Sequence, residues 1–107
     1  MTDIVDSLKI NLDYIDVDDP IITTNYTVTL ADHGKTKRFS GNITVTFPAS
    51  LPEGVAIHGI NVGTGTITLA ASGGTLESDG TTVTDQWHGF NMINIPSNKV
   101  YADGDLS

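Results

Sequence analysis

The feature that most constrains this chain is a set of short runs in which apolar and small polar residues alternate, each cut off within a few residues by glycine, proline or aspartate. Alternation of period two places every second side chain on one face of an extended strand. Tyr26-Thr27-Val28-Thr29-Leu30 and Asn42-Ile43-Thr44-Val45-Thr46-Phe47 show it most cleanly, with threonine on one face and apolar residues on the other. Ile, Val and Thr together make 34 of the 107 residues (11, 8 and 15), the β-branched excess that suits a pleated, half-buried surface. No segment between the runs needs to be helical. The pattern predicts a single all-β domain, an antiparallel β-sandwich or small jelly-roll-like barrel of about 8–9 short strands over residues 21–107, and argues against βαβ architecture.

Punctuation sets the expected strand ends. Asp32-His33-Gly34, Leu51-Pro52-Glu53-Gly54, Ser72-Gly73-Gly74 and Ser78-Asp79-Gly80 read as turns, the last two bracketing a short strand at Thr75-Leu76-Glu77. Gly63-Thr64-Gly65 reads as a hairpin turn between a strand ending near Val62 and Thr66-Ile67-Thr68-Leu69. Val55 and Ile57 have the opposite parity to Ile60 and Val62, which predicts a β-bulge at His58-Gly59. A second slip of phase is expected near Gly89, between Trp87 and Ile93 and Ile95. The last strand is placed at Lys99 to Ala102. No repeat of fixed period is present.

Residues 1–20 form an acidic N-terminal segment with six acids against Lys9, a local −5, whereas residues 21–107 carry seven acids and four bases, a local −3. Leu8, Ile10, Leu12 and Tyr14 alternate with polar residues from Ser7 to Asp13. A helical stripe through Ile4, Leu8, Leu12 and Ile15 leaves Ile10 and Tyr14 on the wet face, so a strand is preferred there, stopped by Asp16-Val17-Asp18-Asp19-Pro20. The net charge of −8 disfavours nucleic acid, since neutralising phosphates requires a basic face. No apolar run reaches membrane-spanning length, and the acidic start is unlike a secretory leader, so synthesis in a cytoplasm is expected. The absence of cysteine removes disulfides and thiolate chemistry.

Candidate chemistry is sparse. His33, His58 and His88 each precede glycine, as polar strand-end residues do, and their spacing forces no convergence on a metal. The aspartates of residues 13–19 lack the glycine and distal glutamate of a calcium loop and read as solvated turn carboxylates. Glu53 and Glu77 both sit beside turn residues rather than in a carboxylate pair. No catalytic residue, cofactor or metal is assigned. Trp87, the single tryptophan, is expected in the core; its other reading is a glycan-stacking platform with Tyr101 or Phe90. Between Phe39 and Leu76 the only formal charge is Glu53. Charge depletion marks interface cores, yet threonine is also what β-propensity selects for a wet sheet face, and both readings stay open. Oligomer or capsid contacts are placed at Leu8, Ile10, Leu12, Thr64, Thr66 and Thr68, and self-association is expected to cover exposed sheet edges.

The order of several of these pieces resembles a β-rich module of tailed-bacteriophage virion proteins. It runs from Tyr26-Thr27-Val28-Thr29-Leu30-Ala31-Asp32-His33-Gly34-Lys35 through Ile43 to Pro48, Leu51-Pro52-Glu53-Gly54-Val55 and Asn61 to Leu69. Gln86-Trp87-His88-Gly89 and the closing Asn98 to Leu106 complete it. Such modules occur in head decorations, head fibres and tail-fibre tips, usually as trimers. The resemblance implies a non-enzymatic, oligomeric protein of the virion surface, a homotrimer, whose partners are its own copies, the capsid or other virion proteins. Host surface glycan at Trp87 and Tyr101 is the alternative partner, in a tail appendage; no nucleic acid or membrane is expected. Similar modules often carry tryptophan where Val100 stands, so any role of that residue is lost or moved here. A chain of 107 residues leaves no room for a fibre shaft, which favours decoration over tail fibre.

Overall fold

The computed structural model describes residues 20–107 and the backbone of residues 16–17. The expected strand over Ser7 to Tyr14, and with it Leu8, Ile10 and Leu12, lies outside the described residues. Ten strands follow in order: β1 (Asp16–Val17), β2 (Tyr26–Thr27), β3 (Lys35–Phe39), β4 (Ile43–Pro48), β5 (Ala56–Asn61), β6 (Ile67–Ser72), β7 (Thr75–Glu77), β8 (Thr82–Val83), β9 (Gly89–Ile95) and β10 (Lys99–Gly104). A single 3-10 turn, Leu30–Asp32, interrupts them. The all-β class holds.

The strands form a six-stranded sheet of order β1-β3-β5-β9-β10-β7 and a four-stranded sheet of order β2-β4-β6-β8. From β1 to β9 the chain changes sheet at every step, and only β9 and β10 are neighbours in both sequence and space. Both sheets are consequently mixed, not uniformly antiparallel as expected. Among the described residues five pairings are parallel (β1–β3, β3–β5, β2–β4, β4–β6, β7–β10) and three antiparallel (β5–β9, β9–β10, β6–β8). Parallel neighbours require a crossover, usually helical. Here a strand of the opposite sheet supplies it, so parallel pairing arises without helices.

One core lies between the sheets. Val45, Phe47, Ile67, Leu69 and Val83 enter it from the smaller sheet, and Phe39, Ile57, Phe90, Met92 and Val100 from the larger one. β4 reads buried and half-buried in strict alternation, Ile43, Val45 and Phe47 inward and Thr44 and Thr46 outward. Phe39 packs edge-on to Tyr26 and tilted against Phe90, with centroids 6.1 and 6.0 Å apart.

Several local expectations are corrected. Gly63-Thr64-Gly65 is not a hairpin turn: β5 and β6 belong to different sheets, and the segment carries the chain from one layer to the other. It passes close to the β3–β4 crossover, since a Cβ on Gly65 would stand 2.3 Å from the carbonyl carbon of Gly41. There is no bulge at His58-Gly59. β5 pairs without interruption with β3 and β9, and Val55, Ile57, Gly59 and Asn61 keep one inward parity. Gly59 looked like a break because its inward position is filled from the next strand: Phe90 stands directly opposite, and a Cβ on Gly59 would lie 2.1 Å from Phe90 Cζ. Asn61 takes the next inward position by satisfying its amide, donating to the Gly65 carbonyl at 2.9 Å and accepting from Gly63 N–H at 3.2 Å.

The same logic removes the slip near Gly89. Phe90, Met92 and the buried Asn94 point inward, so Ile93 and Ile95 belong to the outer face. Asn94 Nδ2 donates to the Ala49 and Leu51 carbonyls. Leu30 does not continue the alternation of Tyr26 and Val28, because the chain turns into the 3-10 segment and leaves it 57% exposed. Asp16 and Val17, expected as part of a stop, pair with Lys35 and Thr36. Asp103 and Gly104, expected to close the last strand, still pair with Asn91 and Phe90.

Candidate interaction surfaces

The strands of the smaller sheet contain no charged residue. Their register lines up the outward side chains: Thr44, Thr68 and Thr82 are successive Cα partners across β4, β6 and β8, while Thr27, Thr46 and Ala70 make the adjacent row across β2, β4 and β6. Rows lie two residues apart along each strand, about 7 Å, and neighbours within a row about 4.8 Å apart. The result is an uncharged face bearing hydroxyls at regular intervals. Of the threonines singled out from the sequence, Thr68 lies within this grid, Thr66 enters β6 with its N–H bonded to Asn42 Oδ1 at 2.9 Å, and Thr64 is exposed on the crossover. A signal for the full face was present but unread: a threonine, a β-branched apolar residue and a threonine recur at residues 27–29, 44–46, 66–68 and 82–84. The central Val28, Val45, Ile67 and Val83 are all buried.

The outer face of the larger sheet differs. Ala56, Ile93 and Tyr101 are Cα partners across β5, β9 and β10, and with Ile60 they line an open groove of about 670 Å³. His58, Asn91 and Asp103 cross it as a polar row, with Asn91 Nδ2 donating to Asp103 Oδ1 at 3.0 Å. Ile60 and Ile93 are there because of the parity that Gly59, Asn61 and Asn94 impose. Tyr101 also borders a second hollow of about 520 Å³ with Glu77, Asp79 and Leu106.

Under one end of the larger sheet lies a buried ionic cluster. Lys37 Nζ is 2.8 Å from Asp32 Oδ1, and both side chains are about 5% exposed. The Tyr26 hydroxyl donates to the Asp32 carboxylate at 2.8 Å, Thr29 N–H donates to Asp32 Oδ2 at 2.8 Å, and the Lys37 ammonium sits 5.2 Å from the Tyr26 ring centroid. Burial alone would raise the Asp32 carboxyl pKa. Hydrogen bonds from Lys37, Thr29 and Tyr26 outweigh it and hold the group below its ordinary range. Burial, and then the bond to Asp32, push the Tyr26 phenol up. The cluster ties the 3-10 turn to β3.

The histidines are dispersed. His33 Nδ1 accepts from Ala56 N–H at 3.1 Å, His58 borders the groove, and His88 Nδ1 lies 3.7 Å from Asp85 and 3.9 Å from Asp105. Among the described residues no group of three or more histidine or acidic side chains is arranged to hold a metal ion. Glu53 lies in the turn before β5 and Glu77 ends β7.

Trp87 is not a core residue. It is 69% exposed, with φ +70°, on a turn tied down by Trp87 N–H to the Asn61 carbonyl at 2.6 Å and Gln86 Nε2 to the Val62 carbonyl at 3.0 Å. Phe90 is wholly buried and cannot join it in a platform. Tyr101 stands opposite Ile93, four residues up the strand from Gly89 and so about 13 Å away from the end that carries Trp87. The two aromatics are exposed but not brought together. In comparisons with known proteins, no family model, no curated protein and no solved structure matches this chain.

Proposed function

We propose that this chain is a non-enzymatic structural module of a tailed-phage virion that attaches to the particle surface as an oligomer, a trimer by the family resemblance, in a capsid-decoration or head-fibre role. In this reading the two mixed sheets act as a rigid, sandwich-like plate. The observation that carries it is the smaller sheet's outer face, whose strands hold no charge and whose threonines stand in register. Removing the strands of such a face from water strands no charged side chain, and a threonine hydroxyl not already bonded within the chain, as that of Thr82 is to Ser107, can exchange a water for a partner group, which is the composition expected of a surface that adheres. Thr64, Thr66 and Thr68 fall on or beside it. The test is a reconstruction of purified particles: density for this protein on the capsid lattice, with the threonine face against the shell or a neighbouring copy, is the expected result. Density absent from the particle refutes it.

A second reading is a tail appendage that binds host surface glycans. The exposed indole of Trp87 favours it, since a free aromatic face is what sugar stacking uses. Density at the tail tip, with glycan binding lost in Trp87→Ala, would move the assignment there.

A further inference from the structure

We infer that the apolar groove on the larger sheet receives the N-terminal segment of a second copy of this chain, the Leu8, Ile10, Leu12 and Tyr14 stripe of one molecule lying over Ile60, Ile93 and Tyr101 of the next. The inference rests on the oligomeric part of the reading above and names the surfaces that make the contact.

The groove needs a cover of a particular kind. Its apolar lining is interrupted by one polar row, Thr36, His58, Asn91 and Asp103, with Lys35 also on the lining, so the matching surface is a narrow apolar stripe flanked by polar groups, not a broad oily patch. The sequence ahead of Asp16 supplies that: Leu8, Ile10, Leu12 and Tyr14 alternate with Lys9, Asn11 and Asp13, so an extended chain carries the apolar set on one side. From Leu8 to Tyr14 such a chain runs about 20 Å, enough to cross the four strands β3, β5, β9 and β10, whose three spacings total about 14 Å.

The place where the described chain begins decides between its own groove and a neighbour's. β1 runs parallel to β3 with Asp16 opposite Lys35, so the chain enters from the Gly34 end of the sheet, at the groove's rim. To lie across the strands of its own groove it must bend through about a right angle between Tyr14 and Asp16. Only Ile15 stands there, a β-branched residue poorly suited to a tight turn, and residues 1–19 contain neither glycine nor proline. The occupant is therefore assigned to the next molecule, whose groove an unbent arm can enter.

The test uses the full chain in sedimentation velocity, with thermal unfolding followed by circular dichroism as the check on folding. Ile10→Asp with Leu12→Asp on the arm should weaken self-association about a hundredfold while leaving the native circular-dichroism spectrum and cooperative unfolding intact, as should Tyr101→Ala combined with Ile93→Asn in the groove. Mixing arm and groove variants should give a one-to-one heterodimer, because the groove variant's intact arm fits the arm variant's intact groove. Since the chain has no cysteine, a Leu12→Cys, Ile93→Cys double variant reports directly: a disulfide between two chains is expected. A disulfide within one chain, arm variants that associate as the parent does, or a parent that is monomeric at micromolar concentration each overturns the inference. The two proposals fail separately. Arm-dependent oligomers with no density on particles remove the virion reading alone; particle-bound protein whose association ignores the arm removes this one alone.

Discussion

Replacing Gly59 by alanine is the sharpest probe of the core. A Cβ at this position would stand 2.1, 2.4 and 2.8 Å from Cζ, Cε1 and Cε2 of Phe90, all closer than carbon atoms tolerate. Phe90 is completely buried and packs against Phe39, so its ring cannot retreat without displacing a second ring. Overpacking of this kind costs about 1–3 kcal/mol, and contact with three atoms of a wedged ring puts Gly59→Ala at the upper end, near 3 kcal/mol. For a domain of this size that is a fall in unfolding temperature of roughly 10–20 °C. Phe90→Leu leaves a partial void and also destabilises. Combined with Gly59→Ala, however, the new methyl occupies space that the ring has vacated, so the double variant should lose less than the sum of the two by about 1–2 kcal/mol. Urea unfolding monitored by circular dichroism measures all four corners of the cycle. Strict additivity, or a Gly59→Ala cost below about 0.5 kcal/mol, would mean that Phe90 does not fill the space above Gly59 and that β5 is not continuous through it.

Other expectations concern the polar cluster, the buried amide, the indole and the absence of catalysis. Asp32→Asn should destabilise by about 3–5 kcal/mol because it removes the carboxylate that the buried Lys37 ammonium bonds at 2.8 Å, and unfolding in urea measures it. With its pKa held below the ordinary 3.8, Asp32 contributes stability that is fully present above that value and is lost as pH falls through the folded value; Asp32→Asn should flatten this acid limb. Tyr26 behaves oppositely: its raised pKa favours the protonated phenol in the folded protein, a contribution complete below pH 10.0 and lost as pH rises through the folded value, and Tyr26→Phe should abolish that alkaline limb. Asn94→Ala should cost about 1–3 kcal/mol by leaving the Ala49 and Leu51 carbonyls without their donor, again read in urea. Trp87 should emit as a solvated indole and be readily quenched by acrylamide; a blue-shifted, protected emission would contradict its exposure. The purified protein should not depolymerise bacterial glycans, and an activity lost in Glu53→Gln or Glu77→Gln would overturn the non-enzymatic assignment.

Local periodicity was legible wherever a strand's inward positions are occupied by its own apolar side chains. β4 follows from Ile43, Val45 and Phe47, and β7 from the turn residues around Thr75-Leu76-Glu77. It misled where an inward place is held by a residue that does not look apolar. Gly59 is filled by Phe90, and Asn61 and Asn94 are buried by bonding to loop carbonyls, so the outward isoleucines 60, 93 and 95 passed for core and suggested breaks in phase. The groove therefore went unnoticed, since its lining was assigned to the interior. Trp87 was misplaced because frequency favours burial for a lone tryptophan, whereas four hydrogen bonds around Asn61, Val62 and Asp85 pin its turn at the surface. Strand partnership was not legible at all. Nothing in a run of alternating residues distinguishes a chain that folds back on itself from one that steps across to another layer.

That stepping has a consequence for how the molecule forms. Because β9–β10 is the only pairing between successive strands among the described residues, every other ladder described waits for a distant segment to arrive, with loops of about twenty residues closed before any parallel contact rewards them. Acquisition of the native state should accordingly be slow, on the millisecond-to-second scale of topologies dominated by remote contacts, with the C-terminal hairpin the sole element able to assemble early. During synthesis the β9–β10 hairpin emerges after every other described strand, so the larger sheet can be completed only once β10 has left the exit tunnel.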